Sequence, residues 1–231
     1  MRSNFYTLAF TSAVTIILGF LLALASESLK ERQEMNIELD KKNNILSALG
    51  FIQSESNPLT KKEIKILFEK SVKEINVDKN GNLVKNSNVK FENLTVYKKV
   101  INHKTEGYAI PISGKGLWST LFGYLAVEPD GMTIKGITFY EHKETAGLGG
   151  EIEKSWFQNN FIGKRFIDKK GQLVSIEVIK GTVSEDDPEK IHKVDGISGA
   201  TMTGRGLNKF LMEDLQKYEP FFKKIRDEVE I

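Results

Sequence analysis

Between Ser3 and Ser26 the chain carries no charged side chain, and the run "FYTLAFTSAVTIILGFLLALA" (5–25) is apolar almost throughout. At ~1.5 Å of rise per residue such a helix spans the ~30 Å hydrocarbon layer of a bilayer. The stretch "ESLKERQEMNIELDKKNNILSALGF" (27–51) is heavily charged and lacks Pro and Gly until Gly50, so the spanning helix is expected to continue as a stalk. A cleaved signal peptide is the competing reading, with Arg2 as its basic start and Ala23-Leu24-Ala25 as its cleavage site. The apolar run exceeds the ~7–15 residues usual for such a segment, which favours a retained single-pass anchor. No ionisable group lies within the span, so it reads as an anchor and not as an ion or proton path.

Beyond the stalk the period changes several times. Residues 58–74 show helical spacing, with Leu59, Ile64, Leu67 and Phe68 on one face and a Thr60-Lys-Lys-Glu63 capping box. Residues 75–86 read as a hairpin about Asn80-Gly81. Strands are predicted over 94–101, 107–113, 121–129 and 132–142, with Asp130-Gly131 as the turn between the last two. Residues 151–161 read as a helix, 173–180 as a strand and 184–190 as a solvated loop. Residues 203–227 read as a helix with Leu207, Phe210, Leu211, Leu215, Tyr218, Phe222 and Ile225 along one face. The sum is an α+β domain in which helices back a mainly antiparallel twisted sheet.

Composition removes several kinds of chemistry. The 231 residues contain no cysteine, which excludes disulfides, thiolate metal sites and cysteine nucleophiles for this chain. His103, His142 and His192 are far apart and show no ligand spacing. A net charge of +2 gives no strong pull toward nucleic acid. Charge leaves the orientation of the anchor open. Lys30, Arg32, Lys41 and Lys42 argue for a cytoplasmic domain, whereas the short Met-Arg tail is a common export pattern.

The stretch "DGISGATMTGRGLNKFL" (195–211) places Ser198, Thr201 and Thr203 in a small-residue loop leading into the last helix. In one reading Ser198 or Thr203 caps the helix and the glycines make the turn. In the other, the N–H groups of a helix start form an anion site suited to phosphate, beside a threonine whose hydroxyl can be esterified.

Asp195-Gly-Ile-Ser198-Gly199-Ala200-Thr201 resembles the D-x-x-[S/T]-x-A-T flavinylation motif. With it, "IPISGKGLWSTLFGYLAVEPDG" (110–131) and "GITFYEHKETAGLGGEI" (136–152) resemble the C subunit of the sodium-translocating NADH:quinone reductase, over nearly the whole chain. The resemblance implies FMN joined through its phosphate to Thr201 by a flavin transferase, which uses FAD and Mg²⁺ and releases AMP. It implies an FMN-binding domain over 51–231, a transmembrane anchor over 1–26 and a helical stalk over 27–50. Asp195, Ser198, Gly199, Ala200 and Thr203 would surround the linkage. Trp118 would lie beside the flavin ring, although a buried core tryptophan is the plainer reading of an indole. Glu144, Thr145, Gly147, Leu148 and Gly149 of "ETAGLGG" would contact the cofactor, as would Lys180 before Gly181. The family usually reads "ETPGLG", and here Ala146 stands in place of that proline.

As a family member, the chain would relay electrons between redox centres of partner subunits toward quinone, with no complete activity alone. It would sit in the bacterial inner membrane with its flavin domain on the periplasmic side. No GxGxxG fingerprint is present, in keeping with a protein that holds a flavin and leaves NADH to a partner. Two alternatives stand. One is the G subunit of the related Rnf complex; the other is a membrane-tethered binding or assembly protein whose threonine loop is only a helix cap.

Overall fold

The computed structural model describes residues 4–51, 59–84 and 93–229; Arg2, Pro58 and residues 85–86, which fall in segments named above, lie outside them. The chain divides into two compact units, 1–40 and 41–231. The first holds the larger part of α1 (Asn4–Ala48), a helix exposed through Glu38 and long and apolar enough to cross a membrane.

The last turns of α1 belong to the second unit, where Ile45, Leu46, Ala48 and Leu49 are buried. The helix stops at Gly50, whose φ of +71° suits glycine. Phe51 N–H donates to the Leu46 carbonyl and Gly50 N–H to that of Ser47, the paired bonds of a Schellman cap. The ammonium of buried Lys99 donates to the Leu49 carbonyl at 3.0 Å, a cation at the negative end of the helix.

α2 (Lys61–Ser71) opens with the expected capping box of Thr60 and Glu63. It ends three residues before the predicted limit, because Val72–Val77 form β1 and pair with residues 94–99. Strand pairing there outweighs the local helical pattern. β1 continues into a turn in which Asp78 accepts N–H bonds from Asn80 and Asn82. Only Gly81 of the Asn80-Gly81 pair takes positive φ, so the turn is not the mirror-image type that such a pair suggests.

β2 (Leu94–Ile101), β3 (Lys104–Lys115), β4 (Thr120–Val127) and β5 (Ile134–Glu141) complete a five-stranded antiparallel sheet in the order β1-β2-β3-β4-β5. Its alternation separates two faces. Tyr97, Tyr124, Gly136 and Thr138 face α2 and the end of α1; Tyr97 rests on Phe68, Thr138 donates to the Asn44 carbonyl, and burial pushes the Tyr97 hydroxyl up to about 12. Tyr108, Ile110, Ile112, Leu125, Ile137 and Phe139 enter the main core on the other face.

That face is covered by α4 (Thr201–Val229), whose predicted stripe from Leu207 to Phe222 is buried. Each fully buried Leu or Phe contributes about 1.5–3 kcal/mol. The approach is close. A Cβ on Gly206 would lie 2.3 Å from the Lys115 carbonyl oxygen, and one on Gly114 would lie 2.1 Å from Phe210 Cβ. Asp214 accepts the Ser113 N–H at 2.8 Å and Tyr218 donates to the Thr95 carbonyl at 3.1 Å, which sets the helix on the sheet.

The segment between sheet and α4 departs most from expectation. The single helix predicted for 151–161 is three short pieces: 3-10 turns at Gly149–Glu153 and Asn159–Phe161, with α3 (Ser155–Gln158) between. Extended backbone at Lys154 breaks it, and Ile152, Phe157 and Phe161 are all buried. Of the predicted strand 173–180, only β6 (Glu177–Val178) forms, parallel to β7 (Lys193–Val194). Ser175, buried with φ +64°, bends the chain just before it.

Candidate functional site

α4 begins at Thr201, two residues earlier than predicted. The Ala200 carbonyl accepts the first helical bond, from Gly204 N–H at 3.0 Å, which puts Ala200 at the N-cap. An alanine cannot cap with its side chain, and neither Ser198 nor Thr203 does so among the described residues. The cap reading of these hydroxyls is therefore overturned. The helix start keeps N–H groups open to an anion, and Thr201 is exposed as the first helical residue.

Thr203 has a different task. It is 1% exposed, and its hydroxyl donates to Glu144 Oε2 at 2.7 Å. The other carboxylate oxygen accepts the N–H groups of Trp118 at 2.9 Å and Ser119 at 3.4 Å. Burial opposes ionisation of Glu144, but the Thr203 hydroxyl and these backbone donors together hold its carboxyl below the usual carboxylate range. One buried carboxylate thus ties the turn at residues 116–119 to the first turn of α4. A Cβ on Gly149 would lie 2.5 Å from Thr203 Oγ1, so that glycine is required by this packing.

Beside this knot lies a cavity of about 550 Å³. Its lining comes from the loop 196–201 with the start of α4 and from the chain running from β6 through Lys180 and Gly181. The amide of Asn208 joins the two: Oδ1 accepts Val178 N–H at 2.7 Å and Nδ2 donates to the Val178 carbonyl at 3.1 Å. Ser198, Gly199, Ala200 and Thr201, expected around the linkage, and Lys180, expected to contact the cofactor, line the cavity. Thr201 and Lys180 are exposed on it.

The remaining candidates are not part of its lining. Asp195 does not line this cavity; its carboxylate accepts Val183 N–H at 2.8 Å and holds the loop after Lys180. Trp118, at the β3–β4 turn, is 69% exposed, which rules out the buried-core reading. Leu148 is 42% exposed and reaches Gly199, where a Cβ would come within 2.7 Å of its Cδ2. Thr145, Ala146, Gly147 and Leu148 make a turn closed by Leu148 N–H on the Thr145 carbonyl at 3.1 Å, with Gly147 at φ +74°. Ala146 therefore holds the second position of a type II turn, where proline is favoured. A Cβ at Gly147 would meet no protein atom within 4 Å, and its positive φ suits the turn.

Among the cavity residues outside the sequence-based site are Arg205 and Asn208. Starting the helix at 203 hid the four-residue spacing that puts Arg205 on the same face as Thr201. Asn208 acts on a strand thirty positions away, which no local pattern reports. Among the described residues no cluster of His, Asp or Glu could hold a metal ion.

An exposed threonine at an uncapped helix start and an exposed lysine line one cavity, an arrangement suited to a domain that binds an anionic cofactor. Residues 116–216 match the family model described as "FMN-binding domain". The chain is 31% identical to the C subunit of the Na(+)-translocating NADH-quinone reductase of Yersinia pestis, over 96% of this chain and 92% of that one. It is 31% identical to the protein of that name from Vibrio anguillarum, over 96% and 94%. The crystal structure of Shewanella oneidensis NqrC superposes with a TM-score of 0.68 at 30% identity, covering 84% of this chain and 99% of that one. The structure of the same reductase's C subunit from Parabacteroides distasonis gives 0.70 at 29%, covering 84% and 96%. The chain belongs to the family formed by the C subunits of the Na(+)-translocating NADH-quinone reductases. The predicted fold class is borne out, and of the sequence-based alternatives the relatives favour this family over the Rnf protein and the non-redox tether.

Proposed function

We propose that this chain carries FMN as a phosphodiester on Thr201 and relays electrons between redox centres of partner subunits on the way to quinone. The observation that carries the reading is the exposed Thr201, first in α4, lining a cavity that Lys180 also lines. The residues fit the cofactor. Open helix-start N–H groups receive the phosphate, Lys180 supplies a cation, and the space of about 550 Å³, with exposed Leu148 against Gly199 of its lining, suits a flat ring system. In the attachment step the Thr201 oxygen bonds to the FMN phosphorus of FAD while the phosphoanhydride bond breaks. AMP leaves, and the hydroxyl proton is lost; a flavin transferase with Mg²⁺ catalyses the exchange.

Bound there, the flavin accepts and donates electrons singly or in pairs. The protein's part is to hold and tune it. Glu144 and Thr203 fix the Trp118 turn against α4, Asn208 fixes β6 before Lys180, and Asp195 shapes the loop between. We further read residues 1–26 as a single-pass inner-membrane anchor, 27–50 as a stalk and 51–231 as a flavin domain on the periplasmic side.

Co-expression with a flavin transferase, followed by a denaturing gel viewed under ultraviolet light, tests the attachment. A fluorescent band is expected from the parent chain and from Ser198→Ala, and a dark one from Thr201→Ala. Fluorescence retained in Thr201→Ala would refute the assignment.

A further inference from the structure

Arg205 follows Thr201 by four residues on α4, so both side chains stand on one helix face. Side chains on a helix lean toward its N-terminus, and the Arg205 guanidinium does so. Its Nη1 lies 3.9 Å from the sulfur of Met202, three residues back. Both Arg205 and Thr201 line the cavity.

The charge of Arg205 is not matched by its helix. The positions three and four residues to either side are Thr201, Met202, Asn208 and Lys209, none of them acidic. By contrast Lys209, Lys217 and Arg226 each meet an acid of α4. Glu177, an acid that also lines the cavity, makes no ion pair with Arg205 among the described residues. A long cation is thus folded back toward an esterifiable hydroxyl, with a neutral thioether as its one polar contact among the described residues.

We propose that Arg205 is the counter-charge of the phosphate on Thr201, and so a positioning residue for the flavin. The inference rests on the reading that Thr201 carries FMN. A phosphodiester bears one negative charge and two free oxygens. The helix-start N–H groups meet it along the helix axis, while the planar guanidinium meets it from the side with two donors. Gripped from two directions, the phosphate cannot turn freely about the threonine bonds, and the ring beyond it is held at the cavity.

The test uses the full chain in detergent after co-expression with a flavin transferase, observed by phosphorus NMR and by flavin fluorescence anisotropy. In Arg205→Gln the phosphorus resonance is expected to shift and the anisotropy to fall. Lys209→Gln, which removes the same charge from the same helix, is expected to change neither, and Arg205→Lys to restore part of both. An unchanged resonance and anisotropy in Arg205→Gln would overturn the role of Arg205 while leaving the attachment intact. If Arg205→Gln remains unflavinylated, recovery in Arg205→Lys supports the charge pairing, and failure of both variants refutes it. A parent chain with neither flavin nor phosphorus signal would instead overturn the reading of Thr201 itself.

Discussion

At the scale of single residues, Glu144 carries more of the site than its motif suggests. Its oxygens collect one hydroxyl and two backbone N–H groups from two elements. Glutamine in its place would set an amide donor against one of these donors, leaving a buried polar group unmatched, and Glu144→Gln should cost about 1–3 kcal/mol in urea unfolding at neutral pH. The folded chain holds this carboxyl below its ordinary range. Its contribution is therefore complete above the unfolded value of about 4.3 and drains away as the pH falls through the lower folded value. The parent should lose stability toward acid more steeply than Glu144→Gln; parallel pH profiles would contradict this. Ala146 offers a change of opposite sign. It sits where a type II turn favours proline, and Ala146→Pro should stabilise by about 0.4–1 kcal/mol by narrowing the unfolded chain. Thermal melts read the gain, and a lower melting temperature would show that the turn does not tolerate proline.

At the scale of elements, the site depends on how closely α4 crosses β3. Gly206 is in a helix, where alanine normally gains about 1 kcal/mol. Here its Cβ would strike the Lys115 carbonyl at 2.3 Å, and backbone cannot rotate aside. Gly206→Ala should therefore destabilise by about 1–3 kcal/mol, as overpacking does, and reduce flavin attachment by lifting α4 from the β3–β4 turn. A stabilised, fully flavinylated variant would show the contact to be soft. The apolar stripe of α4 was plain in the sequence because it repeats with the helix period. The broken helix at 149–161 and the two-residue β6 were not. Their form follows from burying Ile152, Phe157 and Phe161 together, and from the bend at Ser175.

For the whole molecule, the absence of cysteine makes topology testable. Asp186→Cys adds a lone thiol in an exposed loop. A membrane-impermeant maleimide should label it in intact spheroplasts if the domain faces the periplasm, and only after lysis if it faces the cytoplasm. What the sequence determined by itself was whatever is written locally: the uncharged span, the capping box, the strand and α4 periodicities, and the small-residue loop with its threonine. These depend on neighbours within a few residues, so spacing alone reports them. Tertiary structure decided how the hydroxyls of that loop divide. Thr203 turns inward because Glu144 reaches it from fifty-nine positions away, while Thr201 is left exposed at a helix start that Ala200 cannot cap. It also decided that Lys180 and Thr201 would line one cavity, beside the Asn208 clamp on Val178, and that Arg205 would lean back along α4. Such long-range contacts close only when the sheet, β6 and α4 pack together, and no pattern along the chain records them.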